Sequence, residues 1–210
     1  MKFYKIAITG GPCGGKTSAL NYIEQRFTKM GYTVVIINES ATEIILSGLN
    51  PRAYNNNYLF EKNILNLQKI KEELYTKACL KLPSEKVLLV CDRGIMDCKC
   101  YMSCEEFNQF IQETGYKETE LRNNYNAVFH LVSAAKGAEE FYTKANNKAR
   151  FEDIELAKIN DDKTISVWKD HPYFKIIDNS TNFIEKMERL VKEICKLLNE
   201  DVPSEIKNII

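Results

Sequence analysis

Short, continuous apolar runs alternate along the chain with longer stretches of helical periodicity. Residues 3–9 (FYKIAIT) are β-branched and aromatic and stop at Gly10-Gly11-Pro12, which predicts a strand. Residues 18–30 carry Leu20, Ile23 and Phe27 at spacings of three and four, which predicts a helix ended by Gly31. Residues 33–37 (TVVII) predict a second strand. Residues 58–80 form a helical stripe through Leu59, Phe60, Ile64, Leu67, Ile70 and Leu74. Residues 87–91 (VLLVC), 127–132 (AVFHLV) and 174–177 (FKII) predict three more strands. Residues 183–198 predict a closing amphipathic helix with Phe183, Met187, Leu190, Val191, Ile194 and Leu198 on one side.

The strands are apolar throughout rather than alternating. Strands of that kind are covered on both faces, as in a parallel sheet. Their alternation with helices predicts an α/β domain with right-handed crossovers. Internal repeats and linkers are not evident, so one domain is expected over residues 1–200, with a loose tail over 201–210. Residues 50–57, rich in Asn, and the polar stretch 137–163 are the expected mobile parts.

Composition narrows the function classes. The chain has 210 residues, enough for one domain with a substantial core. Lys+Arg and Asp+Glu both number 29, so the formal net charge is zero. That balance gives no support to a nucleic-acid binder or a polybasic membrane binder, although a local basic pocket stays open. No apolar run approaches the ~20 residues needed to span a bilayer, and the N-terminal segment does not read as a signal peptide. A cytoplasmic location is expected. Seven cysteines without a secretory signal argue against a disulfide framework. Cys98, Cys100 and Cys104 could be read as a metal site, but they lack paired C-x2-C spacing and a nearby fourth ligand. The competing reading is three thiols around a helix start.

The segment Gly10-Gly11-Pro12-Cys13-Gly14-Gly15-Lys16-Thr17 fits G-x-x-x-x-G-K-[ST], with a strand before it and a helix after it. Such a loop turns its backbone N–H groups onto phosphate oxygens, and the helix adds its unpaired amides. Lys16 would place a charge at the β- and γ-phosphates, and Thr17 would offer a hydroxyl to Mg2+. Cys13 is a candidate reactive thiol there, or simply a small residue that fits.

In open parallel sheets, ligands bind beyond the carboxyl ends of strands. Glu39 follows the second strand, Asp92-Arg93-Gly94 the third and Asp178-Asn179 the fifth. Asp92 reads as the acid that holds Mg2+, directly or through water. Arg93 stands where motor ATPases carry a water-activating glutamate, and would contact a phosphate or an anionic group instead. Glu39 is the candidate base, with Glu43 as its competitor and a helix N-terminal acid as the structural alternative. Asp97 is a further candidate for the same site. The stretch after the fourth strand carries Lys144, Lys148 and Arg150. It reads either as a lid over about residues 137–170, with Arg150 offsetting phosphoryl charge, or as a solvated helix pair. His130 and His171 read as structural, and Trp168 as packing the lid on the domain.

The blocks ITGGPCGGKT, VVIINESATEIIL, VCDRGIMD, AVFHLVSAAKGAEEFYTKANNKARFEDIELA and WKDHPYFKIIDNSTNFIEKMERL resemble the NadR/TRPL-translocation-defect type of P-loop domain, an AAA-type ATPase domain. The resemblance covers about residues 2–198. It implies a P-loop NTPase three-layer sandwich with strand order 2-3-1-4-5 and a helical lid. It also implies ATP or GTP bound with Mg2+, and phosphate contacts from Gly10, Gly11, Pro12, Cys13, Gly14, Gly15, Lys16, Thr17 and Ser18. Asp92 and Arg93 would serve the magnesium and phosphate region, Arg150 the lid, and Asn179 would lie near the base. Gly14 stands where many relatives carry serine. A second, phosphoinositide-binding module found in longer relatives is not expected here.

Two functions compete. One is a kinase that moves the γ-phosphoryl group to a hydroxyl of an unidentified small, nucleoside-like acceptor. The other is a regulatory nucleotide-binding module acting through a protein or membrane partner. A guanine-reading N-K-x-D is missing, because Asn147-Lys148-Ala149-Arg150 fails at its last position.

Overall fold

The computed structural model describes residues 1–54, 56–142 and 154–204. Five parallel strands form one sheet: β1 (Lys2–Thr9), β2 (Thr33–Ile37), β3 (Lys86–Asp92), β4 (Ala127–Leu131) and β5 (Phe174–Ile177). Their order is β2-β3-β1-β4-β5, the order the resemblance implies. All strand pairs are parallel, with Ile6 opposite Val90 on one side of β1 and Ala127 on the other.

The continuous apolar runs have the predicted cause. Successive side chains of β1 point to opposite faces, so Ile6 and Ile8 enter one core and Ala7 enters another. The first core packs the sheet on α1 (Lys16–Lys29) and α8 (Phe183–Leu198), through Ile23, Phe27, Leu190 and Ile194. On the opposite face lie α2 (Ser40–Leu46), α4 (Asn57–Cys79), the 3-10 helix Ile95–Tyr101 and α5 (Cys104–Thr114). Leu65, Phe107 and Phe110 fill the second core there. The result is three layers: helices, sheet, helices.

Local chemistry sets the helix starts. Asn56 accepts from the Leu59 amide at α4, and Asn182 accepts from the Glu185 amide at α8. Ser103 and Glu106 form a reciprocal capping box at α5. By contrast, α1 starts on Gly15 with no side-chain cap and no acid in its first turn. Its N-terminal amides therefore face the loop that precedes it.

One expectation needs correction, and two stretches gain structure. Helix α1 begins at Lys16, two residues before its predicted start, because the glycines end at Gly15. The Asn-rich stretch 50–57 contains the short helix α3 (Pro51–Tyr54) and the cap of α4. The latter part of the polar stretch forms α7 (Ile154–Trp168), whose Ala157, Asn160, Asp161, Thr164 and Trp168 are buried. Residues 154–168 of the expected lid are thus a packed part of the domain. Helix α6 (Glu118–Arg122) completes the elements. No helix among the described residues is long and apolar enough to cross a membrane.

Candidate nucleotide-binding site

The glycine-rich loop leaves β1 against the end of β4. Gly10 has φ 141°, and a Cβ there would stand 2.1 Å from the Leu131 carbonyl oxygen. Only glycine satisfies both the positive φ and the close backbone approach. Gly15 closes the loop with φ 91° and lies under the Phe183 ring.

A carboxylate of α7, 150 residues along the chain from Gly11, pins the loop. Asp161 Oδ1 accepts from the amides of Gly11 and Ser133, each at 3.0 Å, and lies 3.1 Å from His130 Nε2. Lys136 Nζ stands 3.0 Å from its other oxygen. Burial opposes its ionisation, but His130, Lys136 and the Ser133 amide outweigh burial and hold Asp161 well below the usual carboxylate range. His130 is fully buried and serves this joint, while His171 bonds the Tyr125 carbonyl. Lys186, on the apolar face of α8, donates to the carbonyls of Gly14 and Val132 and to Asn179 Oδ1. Burial lowers its pKa to about 8.

The strand ends meet at the mouth of the loop. Lys16 Nζ donates to the carbonyls of Gly10 and Gly11 at 2.9 Å. Burial and the nearby Arg93 charge lower its pKa to about 8, against the pull of Glu39, Asp92 and Asp97. Arg93 has φ 69°, a left-handed conformation rare outside glycine. Its amide bonds the Ile8 carbonyl at 3.0 Å, and its guanidinium forms an ion pair with Glu39. Burial alone would raise the Glu39 pKa; Arg93 and Lys16 reverse that and bring it to about 2. Glu43 is engaged elsewhere, with Lys71. Asp97 is 3% exposed and accepts from Thr9 Oγ1 at 2.7 Å and Trp168 Nε1 at 2.6 Å. Arg93 reaches it at 3.5 Å.

One cavity of about 1100 Å³ joins these groups. Pro12, Cys13, Gly14, Gly15, Lys16, Thr17 and Ser18 line it, as do Glu39, Asp92, Arg93 and Asn179. Gly10 and Gly11 lie buried just behind, and Arg150 falls outside the described residues. Both Asn179 amide hydrogens are used, on the carbonyls of Ser133 and Lys136. Its side chain therefore ties the loops after β4 and β5 together. Trp168 is fully buried in the second core, over Gly94.

The donor set fits a magnesium ion. Asp92 Oδ1 is buried without a hydrogen-bond partner, and burial is the main cause raising its pKa. The Thr17 hydroxyl lines the same cavity. A hard cation with oxygen ligands would satisfy both. Cys98 and Cys100 are buried in the 3-10 helix, whereas Cys104 is exposed at the start of α5. Among the described residues no three His, Cys, Asp or Glu side chains converge as a metal cage.

Asp161, Ser133 and Lys186 escaped the sequence reading. Lys186 alone left a trace, as a lysine three residues after Phe183 and four before Leu190 on an apolar stripe. The family model for an AAA domain matches residues 5–186. No curated protein matches the chain. The matched span starts within β1, ends at the loop-binding Lys186 and includes the rest of β1 and the whole of β2 to β5. The strand order, the glycine-rich loop and that match lead to one conclusion: this chain belongs to the AAA domain family, with the fold of a P-loop NTPase, and is a nucleotide-binding protein.

Proposed function

We propose that the protein is a small-molecule kinase, transferring the γ-phosphoryl group of ATP or GTP to a hydroxyl of a nucleoside-like acceptor. The carrying observation is the Glu39–Arg93 ion pair, which lies in the same cavity as Lys16, Thr17 and Asp92.

The loop amides and the start of α1 would hold the phosphates. Lys16 would leave its loop carbonyls for the β- and γ-oxygens. Thr17 and Asp92 would hold Mg2+, which when bound neutralises charge on the phosphates. The acceptor oxygen bonds to phosphorus as the bond to the leaving nucleoside diphosphate breaks, and the hydroxyl proton passes to a Glu39 oxygen. A carboxylate with a pKa of about 2 is a weak base. Phosphoryl transfer through a loose transition state asks more for aim than for early deprotonation. Glu39, fixed by Arg93, therefore orients the hydroxyl, and Arg93 offsets the growing negative charge.

The test is incubation with Mg-ATP or Mg-GTP and a panel of nucleosides, followed by mass analysis of products and of ADP or GDP. Acceptor-dependent turnover that disappears in Lys16→Ala is the expected result. Tight nucleotide binding without turnover on any acceptor overturns the kinase reading and selects the regulatory module.

A further inference from the structure

The cavity wall also includes residues of α2, α4 and the 3-10 helix, a part of it termed the second lobe. Helix α4 starts at Asn57, and its 3.6-residue period sets Phe60, Glu61 and Ile64 on one face. All three line the cavity, with Ile45 of α2 and Cys98 and Tyr101 of the 3-10 helix. The lobe is therefore mostly apolar, with one carboxyl group in its wall. Glu61 is 6% exposed, and among the described residues it makes no hydrogen bond or ion pair. Other buried polar side chains of α4 are engaged: Gln68 and Glu72, about two and three turns further along, bond Ser40 and Tyr125. A buried carboxyl with no partner is costly, and such groups concentrate where a ligand completes them.

The charges around Glu61 decide its form. Burial pushes its pKa up to about 8; Arg93 at the end of β3 pulls the other way, and Glu106 of α5 adds to the rise. Cys98 and Cys100 face it from the 3-10 helix as neutral thiols, their own pKa values raised by burial. At neutral pH Glu61 is thus mainly a carboxylic acid, with an O–H donor and a C=O acceptor side by side. That pair complements a planar edge bearing an N–H beside an acceptor.

We propose that this lobe is the acceptor subsite, and that Glu61 selects molecules whose flat ring presents an N–H donor beside a hydrogen-bond acceptor. The apolar walls of Phe60, Ile64 and Ile45 take the ring faces, and Glu61 reads the edge. The reactive hydroxyl then points to the Glu39–Arg93 pair, whose Arg93 acts on the charge of both Lys16 and Glu61. The assignment rests on the kinase reading of the same cavity.

The experiment is calorimetric titration of the Mg–AMP-PNP-loaded protein with uridine, inosine, N3-methyluridine and N1-methylinosine. Uridine or inosine is expected to bind, and its N-methylated analogue to bind about a hundredfold more weakly, since methylation removes the donor and leaves the carboxyl unpaired. Glu61→Gln keeps a donor and an acceptor in place and is expected to retain binding. Glu61→Leu is expected to lose it by a similar factor, with AMP-PNP affinity unchanged in both variants. Equal binding of parent and methylated nucleosides, or wild-type binding by Glu61→Leu, overturns the proposal. So does loss of binding in both variants, which would mean that the ligand needs a carboxylate. Failure of all four nucleosides while AMP-PNP binds also overturns it. Nucleoside binding without phosphoryl transfer from either ATP or GTP leaves Glu61 as the reader of a bound nucleoside and removes the kinase reading alone. If neither AMP-PNP nor its guanine counterpart GMP-PNP binds, both fall.

Discussion

Replacing Glu61 with glutamine should stabilise the protein, and the gain should grow with pH. The folded carboxyl has a pKa of about 8, against 4.5 for an ordinary glutamate. Between those values the native state holds a proton that the unfolded state has released. Stability must therefore fall as pH rises through that window, by about 1.4 kcal/mol per pH unit. The stability that the protonated acid contributes is fully present below pH 4.5 and is lost as pH rises through about 8. The upper bound on the loss is about 5 kcal/mol. Water and counterions entering the cavity reduce it, so about 2–4 kcal/mol is the expected difference at pH 9. Glutamine cannot ionise and escapes the loss. Its amide adds an offset that does not vary with pH, so the slope carries the test. Urea unfolding of both proteins at pH 5, 7 and 9 measures it, because urea does not screen charges as guanidinium does. All other titrating groups are common to both proteins and cancel in the difference. A difference that is the same at all three pH values would refute the reasoning.

Three further outcomes are expected. Asp92→Asn should leave folding stability unchanged or raised, because it removes a buried charge whose Oδ1 has no partner; a Mg2+ titration of nucleotide binding should show the metal dependence lost. Asp161→Asn should cost about 1–3 kcal/mol in urea unfolding, since the Gly11 and Ser133 amides lose a charged acceptor. The pH window is the reverse of Glu61: the contribution of Asp161 is present above the ordinary carboxylate pKa of 3.8 and disappears as pH falls below it, so variant and wild type should converge in acid. Gly10→Ala should destabilise by more than about 3 kcal/mol or fail to fold, since its Cβ meets a backbone carbonyl that cannot swing away; thermal unfolding monitored by circular dichroism checks this.

The frame of the molecule was legible because the strands obey a simple rule. Parallel strands buried on both faces are written as unbroken apolar runs, as in β4, all five residues of which are buried; the edge strands β2 and β5 coincide with 33–37 and 174–177 although they are only partly buried. The closing helix 183–198 coincides with α8 for the same reason, as one apolar stripe faces one core. Helix α7 was obscured because Asn160, Asp161 and Thr164 occupy its buried face, where periodicity expects apolar residues. The same polarity gives that helix its role at the glycine-rich loop. Glu39 and Arg93 could each be set at a strand end, but 54 residues separate them, and only the β2–β3 pairing brings them together. Glu61 was hidden within the stripe of α4, since no spacing rule separates a buried acid from a solvated one.

Trp168 gives the protein an optical consequence. It is the only tryptophan among 210 residues, although there are 11 tyrosines. Excitation at the red edge of the absorption band therefore addresses a single indole. That indole is shut away from water, and its N–H points at Asp97. Asp97 in turn faces Arg93, which is paired with Glu39. The emitting dipole thus sits in the electric field of the charges at the strand ends. Any rearrangement of that triad will alter the colour of the emitted light by a Stark effect, with no dye attached. The protein carries its own voltmeter, wired to one address.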